Sequence, residues 1–317
     1  MSWRLEAWNP DYALPQAGLE VDSEPTVAVE ADLEPPWQAI TPRRLSRSIL
    51  FFTDGRQRVD AVIANEGGSR ALLVTVAVGA LVRDEAEIKL AGEPWVRRYA
   101  LHTGEFGGRV EVGPGLVYQP LEVQARDLRE LASRVNHVMR SLEYEFASQL
   151  GADAQSLVIM DGPIYQPAAQ RPPDFPVIGY AKTMWQRYLP PDKEALLNRL
   201  EPAQRTPVFH IPASGRRKLE LFSWYMRLPL NPTLPFHAGA GLIRVETPCE
   251  GLEEARYRAD LSVNLLCQMA STPARDPRAP QNLIPVGGLE LLLGRYMGQG
   301  DVLRRRIVGA LFDGVNV

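Results

Sequence analysis

The stretch Ile49-Leu50-Phe51-Phe52-Thr53-Asp54-Gly55 decides how the rest of the chain is read. An apolar run of strand-favouring residues is closed by an aspartate and a glycine. The same phrase returns further along as Leu157-Val158-Ile159-Met160-Asp161-Gly162. A buried strand that ends this way delivers its next side chain to the rim of the sheet, where open sheets with helices on their faces bind ligands. The glycine that follows leaves backbone room for a ligand. If the two strands are parallel neighbours, both aspartates share one rim. Asp-Gly is also a common turn dipeptide, so a single instance says little. Two instances, one on each side of a meander and a helix, say more.

Outward from Asp54, Arg58 to Ala64 is rich in β-formers, Asn65-Glu66-Gly67-Gly68-Ser69 is a turn, and Ala71 to Val82 is apolar. Three strand-like runs joined by short turns predict an antiparallel meander. A helix is expected from about Gln124 to Leu150. Leu128, Leu131, Val135, Val138, Met139, Leu142, Phe146 and Leu150 recur on one face, and Gly151 breaks the pattern. The run at 157–160 then supplies a strand parallel to the first. The expected fold class is α/β: an RNase H-like mixed sheet, an antiparallel meander plus parallel strands, flanked by helices. Insertions and a helical C-terminal part complete it. Val177-Ile178-Gly179-Tyr180-Ala181-Lys182 reads as a strand carrying a lysine, and a helix is expected over about 191–200. Strand pieces follow near 208–211, 219–228 and 241–246, and helices over 252–269, 288–297 and 301–312.

Residues 1–45 read as an acidic, proline-containing N-terminal arm and 46–317 as the folded domain. Within residues 1–40 eight side chains are acidic and one, Arg4, is basic. The 45% apolar and 23% charged composition is that of an ordinary globular protein. Net charge is −3, which argues against a protein that coats nucleic acid through a basic surplus. It leaves room for a local acidic cluster beside a local basic rim. The only cysteines, Cys249 and Cys267, form no CxxC pair and read as buried thiols. No apolar run approaches the roughly 18 residues that span a bilayer, and Met1-Ser2-Trp3-Arg4 does not open a signal peptide, so the expected setting is cytoplasmic.

Phosphodiester hydrolysis needs a nucleophilic water and charge relief on the leaving oxygen. Two divalent ions about 4 Å apart provide both and require several converging carboxylates. Oxygen ligands of this kind suit Mg²⁺ or Mn²⁺. The helix offers Glu143 or Glu145, which flank its apolar stripe on opposite sides. Each also reads as a solvated helix glutamate, and Arg140 as its surface partner. Lys182 and Arg244 at strand ends, and Arg43, Arg44 and Arg47 before the first strand, are candidates for phosphate contact or plain surface charges. His102, His137, His210 and His237 show no metal spacing. GxSxG, Walker A, GxGxxG and HExxH patterns are absent, which removes support for the chemistries they carry.

Several segments together resemble the NurA family of DNA-repair nucleases. They are Phe52-Thr53-Asp54-Gly55, Met139-Arg140-Ser141-Leu142-Glu143, Val158-Ile159-Met160-Asp161-Gly162-Pro163 and Ile178-Gly179-Tyr180-Ala181-Lys182. Ile243-Arg244-Val245-Glu246-Thr247-Pro248 and Asp276 to Pro285 add to the likeness, the latter similar to a bacterial branch. The resemblance implies an RNase H-like homodimer with Mn²⁺-dependent (or Mg²⁺-dependent) exonuclease and endonuclease activity, mainly 5′ to 3′. It implies work beside a HerA-type hexameric ATPase in end resection at double-strand breaks. Asp54, Glu143 and Asp161 would hold metal, the family register preferring Glu143 to Glu145, and Lys182 would steady the phosphate. Many members also carry an Ala-His pair after a Tyr-Pro near the C-terminus. Here Pro285 is followed by Val286-Gly287-Gly288-Leu289-Glu290, without histidine. Asp276, Asn282 and Glu290 are the alternatives for that ligand. The departure also keeps open a catalytically weak RNase H-like adaptor that docks on a DNA translocase. A phosphohydrolase of small molecules is a third reading.

Overall fold

The run that begins at Ile49 does not stop at Asp54-Gly55. In the computed structural model, β2 (Ile49–Asn65) continues through it for 17 residues. Gly55 stays in the ladder opposite Val78, and the only irregularity in the pairing is a register shift between Val59 and Ala61. The two strands expected at 49–53 and 58–64 are therefore one. The structure describes residues 3–5, 29–47, 49–85, 87–165, 173–182, 188–213, 219–230, 240–276 and 278–312.

The meander is real but built from longer pieces. β2 turns at Asn65–Ser69 into β3 (Arg70–Asp84), and β3 pairs antiparallel with both β4 (Glu87–Leu90) and β5 (Trp95–His102). The third long strand is thus at 95–102, where the adjacent Arg97 and Arg98 interrupt the apolar pattern. β1 (Trp3–Leu5) pairs with the far end of β2. β6 (Val110–Glu111) and β7 (Val117–Glu122) finish that edge. α1 (Leu128–Ser148) follows, capped by Asp127, whose Oδ1 accepts the Glu130 N–H at 2.7 Å. β8 (Ser156–Asp161) then lies parallel to the first residues of β2, and β9 (Val177–Ala181) parallel to β8.

The central order β5-β3-β2-β8-β9 is that of an RNase H-like sheet: a meander whose first strand is flanked by a parallel fourth strand and then a fifth. β12 (Leu242–Thr247), β11 (Leu221–Arg227) and β10 (Phe209–Ile211) extend it antiparallel, giving one twelve-stranded mixed sheet among the described residues. The helix expected over 191–200 is only a turn, α2 (Pro191–Glu194), followed by a 3₁₀ turn at Leu197–Arg199. Pro190 and Pro191 start it, but no long amphipathic face is present to carry it further.

Period-two alternation sorts side chains to the two faces. Val76, Val78 and Ala80 meet Leu142 and Phe146 of α1 on one face. Leu50, Phe52, Ile159 and Tyr180 meet α3 (Leu252–Met269) on the other. Also on that face, α4 (Ile284–Tyr296) sets Leu289 and Leu293 on Ala77, and α5 (Gly300–Phe312) sets Ile307 on Ala61 and Leu73. Each fully buried side chain of this kind contributes about 1.5–3 kcal/mol.

Part of the acidic arm is docked. Glu30 bridges to His210, Ile40 bridges to Arg205, and Ala31 packs with Phe209 and Leu221. Residues 6–28 of the arm lie outside the described residues.

Candidate metal centre

Strand register brings the two aspartates together. Thr53 of β2 lies opposite Met160 of β8 in parallel pairing, so Asp54 and Asp161 are the next residues of adjacent strands. Both follow the parity of Phe52 and Ile159 and turn to the face covered by α3 and α4. From α4, Glu290 meets them there. One carboxylate oxygen from each of Asp54, Asp161 and Glu290 lies within 4.8 Å of the other two.

Glu143 reaches the same spot from the opposite side of the sheet. It is 2% exposed on α1 and comes up beneath Gly55, where a Cβ would collide with its Oε1 and would sit 2.8 Å from Met139 Cγ. The glycine of the Asp-Gly phrase is therefore a window for Glu143, not a turn. Glu145 is exposed and takes no part. Arg140, expected as a surface partner, is instead largely buried. Its Nη1 donates to Glu143 Oε2 at 2.9 Å and to the Asp161 carbonyl at 2.5 Å. Gly162, at φ +97°, gives it room, since a Cβ there would overlap the guanidinium.

A chain of hydrogen bonds rings the carboxylates. Lys182, just past β9, donates to Asp161 Oδ2 at 2.8 Å and to Asn282 Oδ1 at 2.7 Å. Asn282 donates to Asp276 Oδ2 at 2.6 Å. Arg278 closes the ring, donating to Asp276 at 3.1 Å and to both oxygens of Glu290 at 2.9 and 2.5 Å. Burial would raise the Asp276 carboxyl, yet Arg278 and Asn282 outweigh it and bring the pKa to about 2. Of the three alternatives for the missing histidine, Glu290 joins the aspartates, while Asp276 and Asn282 stand behind it.

Three oxygens at the centre are buried without a donor: Asp54 Oδ2, Asp161 Oδ1 and Glu143 Oε1. Asp54 is 6% exposed. Burial, then the charges of Asp161, Glu143 and Glu290, push its pKa well above the ordinary carboxylate value. Burial raises Glu143 too, against the pull of Arg140. The buried Tyr180 hydroxyl is raised by burial and then by Asp161. Donor-free buried carboxylate oxygens are costly unless a cation satisfies them. An all-oxygen set of this size fits Mg²⁺ or Mn²⁺.

Other candidates fall elsewhere. Arg244 is buried against Glu246 and stacks on Tyr188 at 4.5 Å from its ring centre. Arg47 donates to the Ala154 and Ser156 carbonyls and pins the start of β8, while Arg43 and Arg44 are exposed. His102 bonds the Gly104 carbonyl, His210 faces Glu30 and Glu220, and His137 lies against Tyr165. His237 lies outside the described residues. Sequence reasoning missed Arg278 as the partner of Glu290. The available signal was a lone carboxylate inside Leu289-Glu290-Leu291-Leu292, where an apolar helix face meets the sheet.

A family model described as the NurA domain matches residues 61–286. Glu143, Asp161, Lys182, Asp276 and Asn282 fall inside that span, and Asp54 and Glu290 just outside it. Among solved structures, the crystal structure of the NurA nuclease from Sulfolobus solfataricus aligns over 87% of this chain and 86% of that one. Identity is 11% and the TM-score 0.49, a likeness too distant to carry any residue's role across. Among curated proteins, none matches.

Proposed function

Because the chain belongs to the NurA domain family, we propose that it is a divalent-metal-dependent DNA nuclease whose centre is Asp54, Asp161, Glu290 and Glu143. The observation that carries this is the convergence of three carboxylates within 4.8 Å on one face of the sheet, with a fourth arriving through the Gly55 window. Divalent ions held there would activate a water and relieve charge on the leaving oxygen.

The chain's own groups have separable tasks. Asp54 faces Asp161 and Glu290 and is within the electrostatic reach of Glu143, so it would share in holding the ions with all three. Asp161 and Glu143 would add their donor-free oxygens to that set. Arg140 positions both by bonding the Glu143 carboxylate and the Asp161 backbone. Lys182 has two of its three N–H groups committed to Asp161 and Asn282. The third is available to a phosphate oxygen. Glu290 takes the place that the family gives to histidine, so every ligand is an oxygen donor, and Arg278 keeps it in position.

The family resemblance extends the proposal to 5′–3′ exonuclease and endonuclease action with Mn²⁺ or Mg²⁺. The setting would be cytoplasmic end resection at double-strand breaks, as a homodimer beside a HerA-type hexameric translocase. Among the described residues no helix is long and apolar enough to cross a membrane. Cleavage of linear DNA with and without Mn²⁺, comparing the wild type with Asp54→Ala, tests the assignment. Cleavage that requires both the ion and Asp54 supports it, and equal cleavage by the two proteins removes it. A folded, DNA-binding protein that never cuts would leave the docking adaptor as its role.

A further inference from the structure

Arginines line the α4 side of β2 beyond the metal centre, although the whole chain carries a net charge of −3. Asp54, Arg56 and Arg58 are alternate residues of β2 and share one face. Arg56 is exposed and lies along α4, donating to the Glu290 carbonyl at 3.1 Å. Arg58 lies across the corner between α4 and α5, donating to the Gly298 carbonyl at 2.8 Å. Two glycines make room for them. A Cβ at Gly294 would stand 2.8 Å from Arg56 Nη1, and one at Gly300 would stand 3.4 Å from Arg58 Nε.

The same row continues across the sheet. Arg58 is opposite Thr75, and Thr75 is opposite Arg98. Arg98 and Arg306 of α5 line a cleft of about 280 Å³ around Gly298, the residue whose carbonyl Arg58 holds. Asp60 is buried and bonded to Arg58, Thr75 and Tyr118. Asp301 is exposed at the start of α5. The path starts at Glu290, passes two arginines whose Cα atoms are about 7 Å apart along the strand, and ends in a basic cleft.

We propose that a single DNA strand runs from the metal centre along this track, its phosphates passing Arg56 and Arg58 and its next nucleotides entering the cleft between Arg98 and Arg306. The proposal rests on the nuclease reading for its occupant. The chemistry is that of non-specific strand binding: cations spaced along an extended backbone, with the sequence unread. Arg56 gives one of its five N–H donors to a carbonyl, and Arg58 gives three, to Asp60 and the Gly298 and Met297 carbonyls, which leaves both with donors for phosphate.

The test is fluorescence anisotropy with labelled oligothymidylate in EDTA, over a salt series. The wild type is compared with Arg98→Ala/Arg306→Ala and with Arg306→Glu, which touches only an exposed helix position. Expected is a loss of at least tenfold in affinity for a twelve-nucleotide strand. The slope of log affinity against log salt should fall by about 1.4, two phosphate contacts at the single-strand value. A trinucleotide, too short to reach from Asp54 to the cleft, should bind all three proteins alike, and calorimetric Mn²⁺ affinity should be unchanged. Unchanged affinity and slope, equal losses on both lengths, or a loss for duplex but not for single strands would each overturn the track. Failure of the nuclease reading shows separately, as cleavage that does not depend on Asp54.

Discussion

Gly55 and Glu143 share a space that only one side chain can occupy. The carboxylate of Glu143 stands where a Cβ on residue 55 would project, with Met139 Cγ 2.8 Å from the same point. Gly55→Ala should therefore displace Glu143 from the centre without removing any ligand. The expected outcome is a loss of about 1–3 kcal/mol in unfolding free energy from overpacking, read by urea titration. Mn²⁺-dependent cleavage should fall by more than tenfold. An alanine variant with wild-type metal affinity and rate would mean that Glu143 is not held by this window.

The buried cluster makes a second prediction about stability without metal. Asp54 sits among three other carboxylates with one oxygen lacking any donor. Asp54→Asn removes a like charge at constant shape. In EDTA the variant should melt at or above the wild-type temperature. Wild type should gain about 2.7 kcal/mol at Mn²⁺ a hundredfold above its Kd, and the variant should gain little. Equal Mn²⁺ shifts in thermal unfolding would show that the ion binds elsewhere.

The strands and long helices were legible because burial imposes periodicity. Leu131, Val135 and Leu142 mark α1, and Leu157 to Met160 mark β8, as expected from sequence. Asp54-Gly55 reads locally as the end of a strand, whereas pairing with Gly79 and Val78 of β3 carries β2 straight through it, a contact that the local dipeptide does not encode. The strand Trp95–His102 was missed because two of its eight residues, Arg97 and Arg98, are charged. As consecutive residues they point to opposite faces of the sheet, Arg97 exposed and Arg98 beside α5. For the site, two aspartates in like contexts were readable. Choosing Glu290 from Asp276, Asn282 and Glu290 required the packing of α4 on Ala77, a contact that local pattern does not encode.

That packing makes the helix glutamates distinguishable. Glu290 shares the centre with both aspartates, whereas Glu145 is exposed on the surface of α1. Glu290→Gln should lower Mn²⁺ affinity at least tenfold, about 1.4 kcal/mol, measured by calorimetry. Glu145→Gln should leave affinity within twofold. If the order is reversed, Glu290 serves only as the partner of Arg278.

The docked arm predicts acid sensitivity at a distance from the carboxylate cluster. Glu34 accepts Arg205 Nη1 at 2.9 Å, Arg205 Nη2 at 3.1 Å and the Val208 N–H at 2.9 Å. Arg205, 2% exposed, also donates to Asp260 at 2.7 Å. Burial raises the Glu34 carboxyl, but the Arg205 bonds and charge, with Val208 and Arg256, outweigh it and lower the pKa in the folded protein. A carboxylate depressed on folding contributes its stability above the ordinary glutamate pKa and loses it as pH falls through the lower folded value. Glu34→Gln should cost about 1–3 kcal/mol at neutral pH. It should also flatten the acid limb of the curve of unfolding free energy against pH, because the variant has no proton to take up there. Parallel acid limbs for the two proteins would place the acid-sensitive contact elsewhere and leave the Arg205 pair as packing alone.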